Sequence, residues 1–580
     1  MGQTGPVFTT ENECQDCYKC VRHCHCKAIR IVNGKASVIP EACVSCGECV
    51  KVCPAHAKKI RSDLGRLRFL LEGKNRVIAS LAPSWVGYFP NTNLDRLARA
   101  LKRIGFEGIS ETALGAEALS AETCAWLRKT KRPLVISTAC PAAVDYIRKY
   151  MPQYTGALLP FYSPVISHCR LLRKQLGNEI KIAFFGPCAA KKNESDQNQG
   201  LLDLALTFSD LAQLLEENGL QLNDSDCDSI DGDFALESDR ELLIGKAEEG
   251  RFYSVEGGMN DTLRNGNDHI RYTAVSGLDN LFRILHQWNG NGGDRTIFLE
   301  ALACRGGCVN GPDMPARASS LDVLFQTDRI SSAACSEGKI SNVPLDRICK
   351  EDPLAEWIPS EEEMERALAR VGKYGRSDEL NCGACGYNTC RDFARALLQN
   401  KAEEAMCHNY LRKNYERTSN ALIKYIPAAV VIVNNELQIT ECNRIFADLA
   451  GDSVVFDSLG NLDGISIQIY LPEYAELFTS VLENGGEIEK YNQKYQNRIL
   501  NLSVFTIARG KFAGAVIQDV TRKEFQREQA AAKAREVIQK NVLTVQKVAR
   551  LFGEHIAETE IMLHEIAKSC ETENGETDER

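Results

Sequence analysis

The sequence predicts a multidomain chain that combines α/β and α+β folds and ends in a coiled-coil helix. Three observations predict this: cysteines cluster in separate stretches, strands alternate with helices in the middle of the chain, and a heptad pattern appears near the end. At 580 residues the chain is long enough for several domains, each with its own core.

Composition narrows the class of protein. Charged residues make up 25% of the chain and the formal net charge is −9, so nothing indicates a nucleic-acid surface. No stretch approaches the ~18 apolar residues that a membrane span needs, and the first residues do not resemble a signal peptide. We therefore expect a cytoplasmic protein with neither a nucleic-acid nor a membrane partner.

Cysteine is the most informative residue type, with 24 in the chain. Nine fall within the first 53 residues and four lie between 382 and 407, a clustering that favours metal ligation over a disulfide framework. We assign 16 as ligands below. The other eight are interpreted as structural: Cys26, Cys124, Cys169, Cys227, Cys335, Cys349, Cys442 and Cys570.

Residues 1–64 contain two cysteine runs, each with the spacing Cys-x2-Cys-x2-Cys-x3-Cys. In such paired runs the fourth cysteine ligates the cluster of the other run, which predicts a ferredoxin-like domain with two [4Fe–4S] clusters. Zinc is the alternative, although zinc sites pair two short spacings per ion. The first ferredoxin set is Cys14, Cys17, Cys20 and Cys53. The second ferredoxin set is Cys24, Cys43, Cys46 and Cys49.

The next region, residues 65–375, has the pattern of an α/β fold. Short apolar strands are predicted at 76–81, 133–137, 181–185 and 296–299, and an amphipathic helix at 94–104. This alternation favours a largely parallel sheet, in which ligands bind beyond the carboxyl ends of the strands.

Three cysteine motifs follow these strands. They read Ser137-Thr-Ala-Cys140-Pro141, Gly186-Pro-Cys188-Ala-Ala-Lys191-Lys-Asn-Glu194, and Glu300-Ala-Leu-Ala-Cys304-Arg-Gly-Gly-Cys308. Each is weak alone, because a single cysteine after a strand is more often a small core residue. In this order, behind a two-cluster ferredoxin, they resemble the signature segments of the [FeFe] hydrogenase catalytic domain.

That resemblance implies an H-cluster. Cys140, Cys188, Cys304 and Cys308, here called the central set, would hold a [4Fe–4S] cluster, and Cys308 would bridge to a two-iron unit with CO, cyanide and dithiolate ligands. Lys191 would donate to a cyanide and Glu194 would orient Lys191. The alternative for this pair is a surface ion pair.

The sequence departs from the family pattern at three positions near the expected two-iron unit. Ala139 occupies the place of a cysteine that relays protons, and a methyl group cannot carry one. Gly186 and Leu302 replace the usual methionines. These departures put fast turnover in doubt while retaining every iron ligand.

Residues 376–412 contain a third cysteine group, with the spacing Cys-x2-Cys-x4-Cys-x16-Cys and a helix expected at 391–405. It resembles a small [4Fe–4S] module known from acetyl-CoA-pathway proteins and some hydrogenase homologues, and zinc is again the alternative. Its position suggests a relay toward the C-terminus. The third-module set is Cys382, Cys385, Cys390 and Cys407.

A polar helical linker, residues 413–421, precedes residues 422–521, which resemble a PAS domain. Its first two strands are expected around an Asn-Asn turn, and a helix is expected to begin at Asn443. We see no clear haem or flavin ligand, so we expect a PAS domain used for transmission or dimerisation.

The segment 522–570 is predicted to form a coiled-coil signalling helix, followed by a disordered acidic tail at 571–580. A single helix packed on its own PAS domain is the alternative. The expected seam has four-three spacing throughout: Ile538, Val542, Val545, Ala549, Phe552, Ile556, Thr559, Leu563 and Ile566.

Together these features predict a sensory [FeFe] hydrogenase-like protein with three [4Fe–4S] clusters and an H-cluster. Its expected partners are H2 and protons, a ferredoxin-type electron partner, a separate effector (a kinase or phosphatase) and a second copy through the coiled coil. One alternative is a slow hydrogenase with a regulatory PAS domain. The other is a non-catalytic iron–sulfur scaffold or electron carrier that lacks the two-iron unit.

Overall fold

The computed structural model describes residues 5–73, 75–90, 92–220, 222, 245–263, 269–290, 295–315, 344–355, 357–459, 462–521 and 536–544. The chain forms two compact units, Met1–Met406 and Cys407–Arg580. The division falls inside the predicted third module, because Cys407 opens the second unit.

The ferredoxin region has two similar halves, each with a short helix that carries a ligand cysteine. Strand β1 pairs antiparallel with β4, and β2 and β3 form a hairpin whose turn uses positive φ at Asn33 and Gly34. Its elements are β1 (Val7–Thr9), α1 (Lys19–His23), β2 (Ile29–Val32), β3 (Lys35–Val38), α2 (Glu48–Lys51) and β4 (Lys58–Ile60).

The central region contains seven strands that pair in parallel, in two sheets instead of the single sheet expected from the sequence. One sheet has the order β6-β5-β8-β9 and the other β10-β11-β7. The strands are β5 (Val77–Leu81), β6 (Gly108–Glu111), β7 (Leu134–Ile136), β8 (Lys181–Phe185), β9 (Leu204–Leu206), β10 (Ile270–Ser276) and β11 (Thr296–Leu302).

Helices cover both sheets, so all five residues of Val77–Leu81 are buried, as parallel strands require. The helix predicted at 94–104 is confirmed: Asn93 caps its start and Gly105, at φ +113°, ends it. The helices are α3 (Leu64–Glu72), α4 (Trp85–Tyr88), α5 (Leu94–Ile104), α6 (Ala113–Leu127), α7 (Pro141–Tyr150), α8 (Pro164–Leu176), α9 (Ala190–Gln197), α10 (Phe208–Glu217), α11 (Gly258–Leu263) and α12 (Leu278–His286).

Two helices close the first unit, α13 (Glu361–Arg370) and α14 (Cys390–Leu398). Ser360 and Glu363 form a capping box at the start of α13, which packs on α14 through a small apolar core. The helix expected over 391–405 is wrong in length, since α14 ends at Leu398 and Asn400 adopts positive φ.

The second unit is built on a five-stranded antiparallel sheet with the order β13-β12-β16-β15-β14. Asn443 caps the helix predicted to follow it, accepting from the Phe446 amide. The elements are α15 (His408–Tyr425), β12 (Ala429–Asn434), β13 (Ile439–Cys442), α16 (Arg444–Ala450), α17 (Ser453–Leu459), α18 (Ile467–Tyr470), α19 (Ala475–Asn484), β14 (Glu487–Tyr495), β15 (Arg498–Ala508) and β16 (Phe512–Asp519).

The two faces of this sheet are covered differently. One packs on α16, α18 and α19, and the other contacts Ile423 of α15 together with Ile538 and Val542 of the helix at 536–544. The first two positions of the predicted seam are therefore buried against the chain's own sheet. The predicted linker lies within α15, whereas seam residues from Val545 onward and the acidic tail lie outside the described residues.

Across the described parts of the chain, no helix is both long and apolar enough to cross a membrane.

Candidate metal centres

The structure brings the first ferredoxin set together across the two halves of the domain. Burial raises the pKa of the Cys20 thiol to about 11; Lys58 opposes the rise, and the thiols of Cys17, Cys14 and Cys53 add to it. Cys53 thus lies with the first cysteine run, as the crossed pattern of a two-cluster ferredoxin predicts.

The second ferredoxin set is crossed in the same way. Burial raises the pKa of the Cys46 thiol, and the thiols of Cys24 and Cys43 add to the rise although the Glu48 amide donates to Cys46. Burial likewise raises the pKa of Cys49, with Cys46 and Cys24 as further causes. Cys24, from the first run, therefore lies with the second.

Lys58 was not selected from the sequence, yet it is a cation that influences both ferredoxin sets. It is 2% exposed, donates to Thr9 Oγ1, and lies 3.2 Å from the Ala36 carbonyl. Its charge lowers the pKa values of Cys20, Cys43 and Cys49, after burial has raised them. A buried ammonium here offsets the negative charge of ligating thiolates.

Cys26, interpreted as structural, lies beside the second ferredoxin set. Burial raises its pKa well above the ordinary value, with further contributions from Cys24, Cys46 and Cys43. The Tyr150 hydroxyl donates to the Cys26 carbonyl at 3.1 Å and fixes its backbone. The sequence feature that could have drawn attention to Cys26 is the His25-Cys26 pair, which replaces the proline usual after Cys24.

The central set lines one small cavity at the carboxyl ends of strands from both sheets. Cys140 follows β7 and precedes α7, Cys188 lies between β8 and α9, and Cys304 and Cys308 follow β11. Cys46 lines the same cavity, so the second ferredoxin set adjoins the central set. The expected position beyond the strand ends agrees with this geometry.

The thiols of the central set influence one another strongly. Burial raises the pKa of Cys188 to about 11, and Cys140 adds to the rise, whereas Lys191 and the amides of Lys191 and Ala190 lower it. These amides belong to the start of α9, where the helix dipole favours a thiolate. Four mutually close thiols around a cavity fit a [4Fe–4S] group.

Two glycines permit the chain to close around this cavity. Gly307 has φ +104°, and a Cβ there would lie 2.5 Å from the Ser254 carbonyl oxygen. A Cβ on Gly311 would lie 2.8 Å from Cβ of Pro187. Larger residues would push apart the segments that carry Cys188 and Cys308.

Lys191 and Glu194 form a buried ion pair, which excludes the surface alternative. Lys191 Nζ lies 2.6 Å from Glu194 Oε2 and donates to Ser163 Oγ at 3.1 Å. Glu194 Oε1 and Ser84 Oγ are buried and have no hydrogen-bond partner within the described residues. Lys191 also lowers the pKa of Cys308, against burial and the neighbouring thiols that raise it, so the pair is close to the cavity.

The departures from the family pattern have distinct surroundings. Ala139 is half-buried against the apolar cluster that contains Phe161. A Cβ on Gly186 would lie 2.5 Å from the Phe184 ring, so that ring occupies the space a longer side chain would need. Leu302 is buried and lines the central cavity.

Glu300 is a second carboxylate near the central set, and it was not selected from the sequence. It is 1% exposed and accepts from the Asn260 amide at 3.1 Å. Burial raises its pKa to about 7, against the backbone amides that donate to it. Its position in β11, four residues before Cys304, was the available signal.

The third-module set divides between the two units. Cys382 and Cys385 lie in a loop and Cys390 opens α14, all in the first unit, while Cys407 begins the second. The loop packs on the ferredoxin region, where Lys27 Nζ donates to the Gly386 carbonyl at 2.6 Å.

Three sequence families match the chain. The family of the C-terminal domain of the iron only hydrogenase large subunit matches residues 75–312; a putative Fe-S cluster family matches 378–408; and a 4Fe-4S binding domain matches 36–59. The last range covers the second cysteine run of the ferredoxin region.

Curated relatives include two hydrogenases. The NADP-reducing hydrogenase subunit HndD of Solidesulfovibrio fructosivorans is 22% identical over 56% of this chain and 67% of its own length. Iron hydrogenase 1 of Clostridium pasteurianum is 25% identical over 45% of this chain and 54% of its own length, so the match spans about half of that enzyme. The nuclear prelamin A recognition factor of Homo sapiens is 24% identical over 47% of this chain and 71% of its own length.

The hydrogenase family match covers all four cysteines of the central set and the Lys191–Glu194 pair, and the 4Fe-4S match covers cysteines of the ferredoxin region. The chain is therefore a hydrogenase-like iron–sulfur protein that contains the C-terminal domain typical of the iron-only hydrogenase large subunit, together with 4Fe–4S binding motifs.

Proposed function

We propose that the protein is a sensory [FeFe] hydrogenase that binds H2 or turns it over slowly, with H2 = 2 H⁺ + 2 e⁻. The buried Lys191–Glu194 pair beside the four-cysteine cavity carries this proposal. A cubane needs only thiolates, and removing an ammonium and a carboxylate from water is costly, so this pair points to a further polar ligand in the cavity.

The chain's own residues fit the H-cluster that the family implies. Lys191 is available as a donor to its cyanides, and Glu194 holds Lys191 in place. When bound, the two-iron unit supplies the open iron position at which H2 is cleaved. Ala139 offers no proton acceptor, which supports slow turnover.

The relay is proposed to consist of three [4Fe–4S] clusters in the first ferredoxin, second ferredoxin and third-module sets. With the cubane of the central set this makes four cubanes and about 16 iron atoms on 16 cysteines. Iron, sulfide and zinc analysis of anaerobically reconstituted protein tests the count. One zinc per chain with four fewer iron atoms would contradict the third cluster.

The signalling part of the proposal rests on the second unit. Its five-stranded antiparallel sheet, with four helices between the second and third strands, is the arrangement expected of a PAS domain. Cys442 is buried among apolar residues in the core beneath the sheet. We propose that this domain and the C-terminal helix pass the redox state to a separate kinase or phosphatase in a cytoplasmic complex.

Isotope exchange tests the hydrogen chemistry. Matured protein in D2O under H2 should release HD slowly, and a Cys308→Ser variant, which lacks the proposed bridging thiolate, should release none. Equal HD release from both proteins would contradict the proposed site, and no release from either would contradict slow turnover.

A non-catalytic electron carrier or scaffold is the second candidate. One observation favours it: the human relative is named as a recognition factor, and it aligns with this chain about as well as the hydrogenases do. In that case the central set holds a cubane and no two-iron unit.

A further inference from the structure

We infer that electrons reach the third-module set through the second ferredoxin set, and that Lys27 and Tyr387 are the positioning residues at this junction. The inference rests on the proposed function, because it needs [4Fe–4S] clusters in both sets. It adds the route and the residues that couple the two clusters.

Lys27 donates hydrogen bonds to the backbone of the segments that carry cysteines of both sets. Its backbone amide donates to the Cys24 carbonyl at 3.2 Å, and its Nζ donates to the carbonyls of Gly386 at 2.6 Å and Val21 at 3.1 Å. Gly386 directly follows Cys385. One half-buried cation thus joins a ligand of the second ferredoxin set to the loop that carries the third-module ligands.

Tyr387 lies at the same junction. Lys27 Nζ is 5.6 Å from the centroid of its ring, which also packs on Phe393. The side chain is 4% exposed, and its hydroxyl has no hydrogen-bond partner within the described residues. Buried hydroxyls are normally paired, so this donor fits a sulfur acceptor supplied by a bound cluster.

The contact between the two segments is tight. Gly386 has φ +92°, and a Cβ there would lie 3.0 Å from Val21 Cγ1 and 3.2 Å from the Arg22 amide. Outside the cysteine loop, Glu403 accepts from the amides of Asn33 and Gly34, the latter at 3.1 Å. The loop is therefore held against the ferredoxin region over several residues.

The second ferredoxin set then has a cluster site on either side. Cys46 lines the cavity of the central set, and Cys24 adjoins the loop of Cys385. In each transfer one cluster loses an electron and its neighbour gains it, with no bond or proton exchanged; H2 or an added low-potential reductant supplies the electron. The second ferredoxin set is the branch point of this path.

A cation and a hydroxyl donor at this place favour the reduced, more negative form of both clusters. Loss of either group should therefore lower both potentials. Arg22 provides a comparison, because it donates to the Ala384 carbonyl at 3.4 Å and to the carbonyl of Cys17, in the first ferredoxin set, at 2.9 Å. An electron path through Arg22 would connect the first ferredoxin set to the third-module loop without passing Cys24.

The test is a redox titration of the full reconstituted chain, followed by electron paramagnetic resonance. Lys27→Gln and Tyr387→Phe should retain full iron, and each should make reduction of both clusters about tenfold less favourable, about 59 mV for a one-electron couple. Lys27→Arg should preserve the potentials. Lys59→Gln is the matched control, since Lys59 pairs with Glu13 on the ferredoxin surface.

A second measurement is independent of these variants. In the wild-type chain, the signals of the reduced second ferredoxin and third-module clusters should broaden each other, and Cys385→Ser should narrow the remaining signal. Three results would each overturn the inference and leave the proposed function standing. They are unchanged potentials in Lys27→Gln and Tyr387→Phe proteins with full iron, no magnetic interaction between the two clusters, and a shift with Arg22→Gln but not with Lys27→Gln. Zinc in the third-module set would overturn it together with the proposed relay, and metal analysis separates that outcome from the others.

Discussion

Lys191 and Glu194, one turn apart on α9, form an ion pair of 2.6 Å whose side chains are only 9% and 3% exposed. Such a pair contributes little to stability compared with apolar residues of similar volume, because desolvation opposes the attraction. Its position beside Cys188 and Cys308 therefore indicates a role toward the group in the cavity.

Replacement of Glu194 by Gln should destabilise the protein strongly. The change leaves the Lys191 ammonium buried without a counter-charge, which typically costs about 3–5 kcal/mol. Denaturant unfolding under anaerobic conditions measures the loss. Glu107→Gln is the matched control, since Glu107 pairs with Arg76 at the surface and its loss should change little. Equal effects of the two variants would contradict a special role for the buried pair.

Ala139→Cys should increase the hydrogen turnover of matured protein. A positioned general acid–base contributes ~10²–10⁴-fold to a rate. Wild-type turnover should therefore be lower by that order than turnover in enzymes with the relay cysteine, and the variant should recover part of the lost rate. Ala139→Ser, of similar size, controls for packing. Full enzymatic rates in the wild-type protein would remove the main support for a sensory role. No gain in the variant would mean that another group already carries the proton or that the changes at Gly186 and Leu302 limit turnover.

Glu300 should make stability depend on pH. Its folded pKa is raised to about 7, whereas a carboxyl in the unfolded chain titrates near ~4.3, so its contribution is fully present below ~pH 4 and is lost as the pH rises through 7. Glu300→Gln cannot ionise, so its stability relative to the wild type should increase between pH 6 and 8.5, by about 1.4 kcal/mol at most. Anaerobic unfolding at both pH values measures the difference, and parallel pH curves for the two proteins would refute the raised pKa.

The C-terminal helix should form a parallel homodimer. The double substitution Val545→Asp and Ile556→Asp would bury charge at the seam and should produce a monomer with unchanged iron content. Ile538 and Val542 already pack against the sheet of the second unit, so the free seam is expected to begin at Val545. Light scattering of the full chain decides: a wild-type monomer at tens of micromolar would favour a helix that only packs on its own sheet.

Local patterns predicted much of this fold because they are set by neighbouring residues. The α5 helix was predicted over its full length from its amphipathic spacing and from Gly105 at its end. The strand β8 was predicted from an apolar run that ends at a glycine. The central cysteines were assigned from the order of their motifs, which resembles the hydrogenase segments, because a cysteine after a strand is weak evidence alone.

Other features depend on contacts between distant segments, and no local pattern reports them. The division of the parallel strands into two sheets is one example. Another is the burial of Lys58 between two cysteine runs, and a third is the contact of Lys27 with Gly386, 359 residues away. The end of α14 was missed because positive φ at Asn400 overrides a helical composition.

Infrared spectroscopy of anaerobically matured protein detects the ligands of the two-iron unit themselves. The proposed H-cluster predicts CO and cyanide stretches that shift when H2 is admitted, and weaker cyanide hydrogen bonding in a Lys191→Met variant. A protein that contains its full complement of cubane iron but shows no CO or cyanide bands would contradict the account and establish the electron carrier instead.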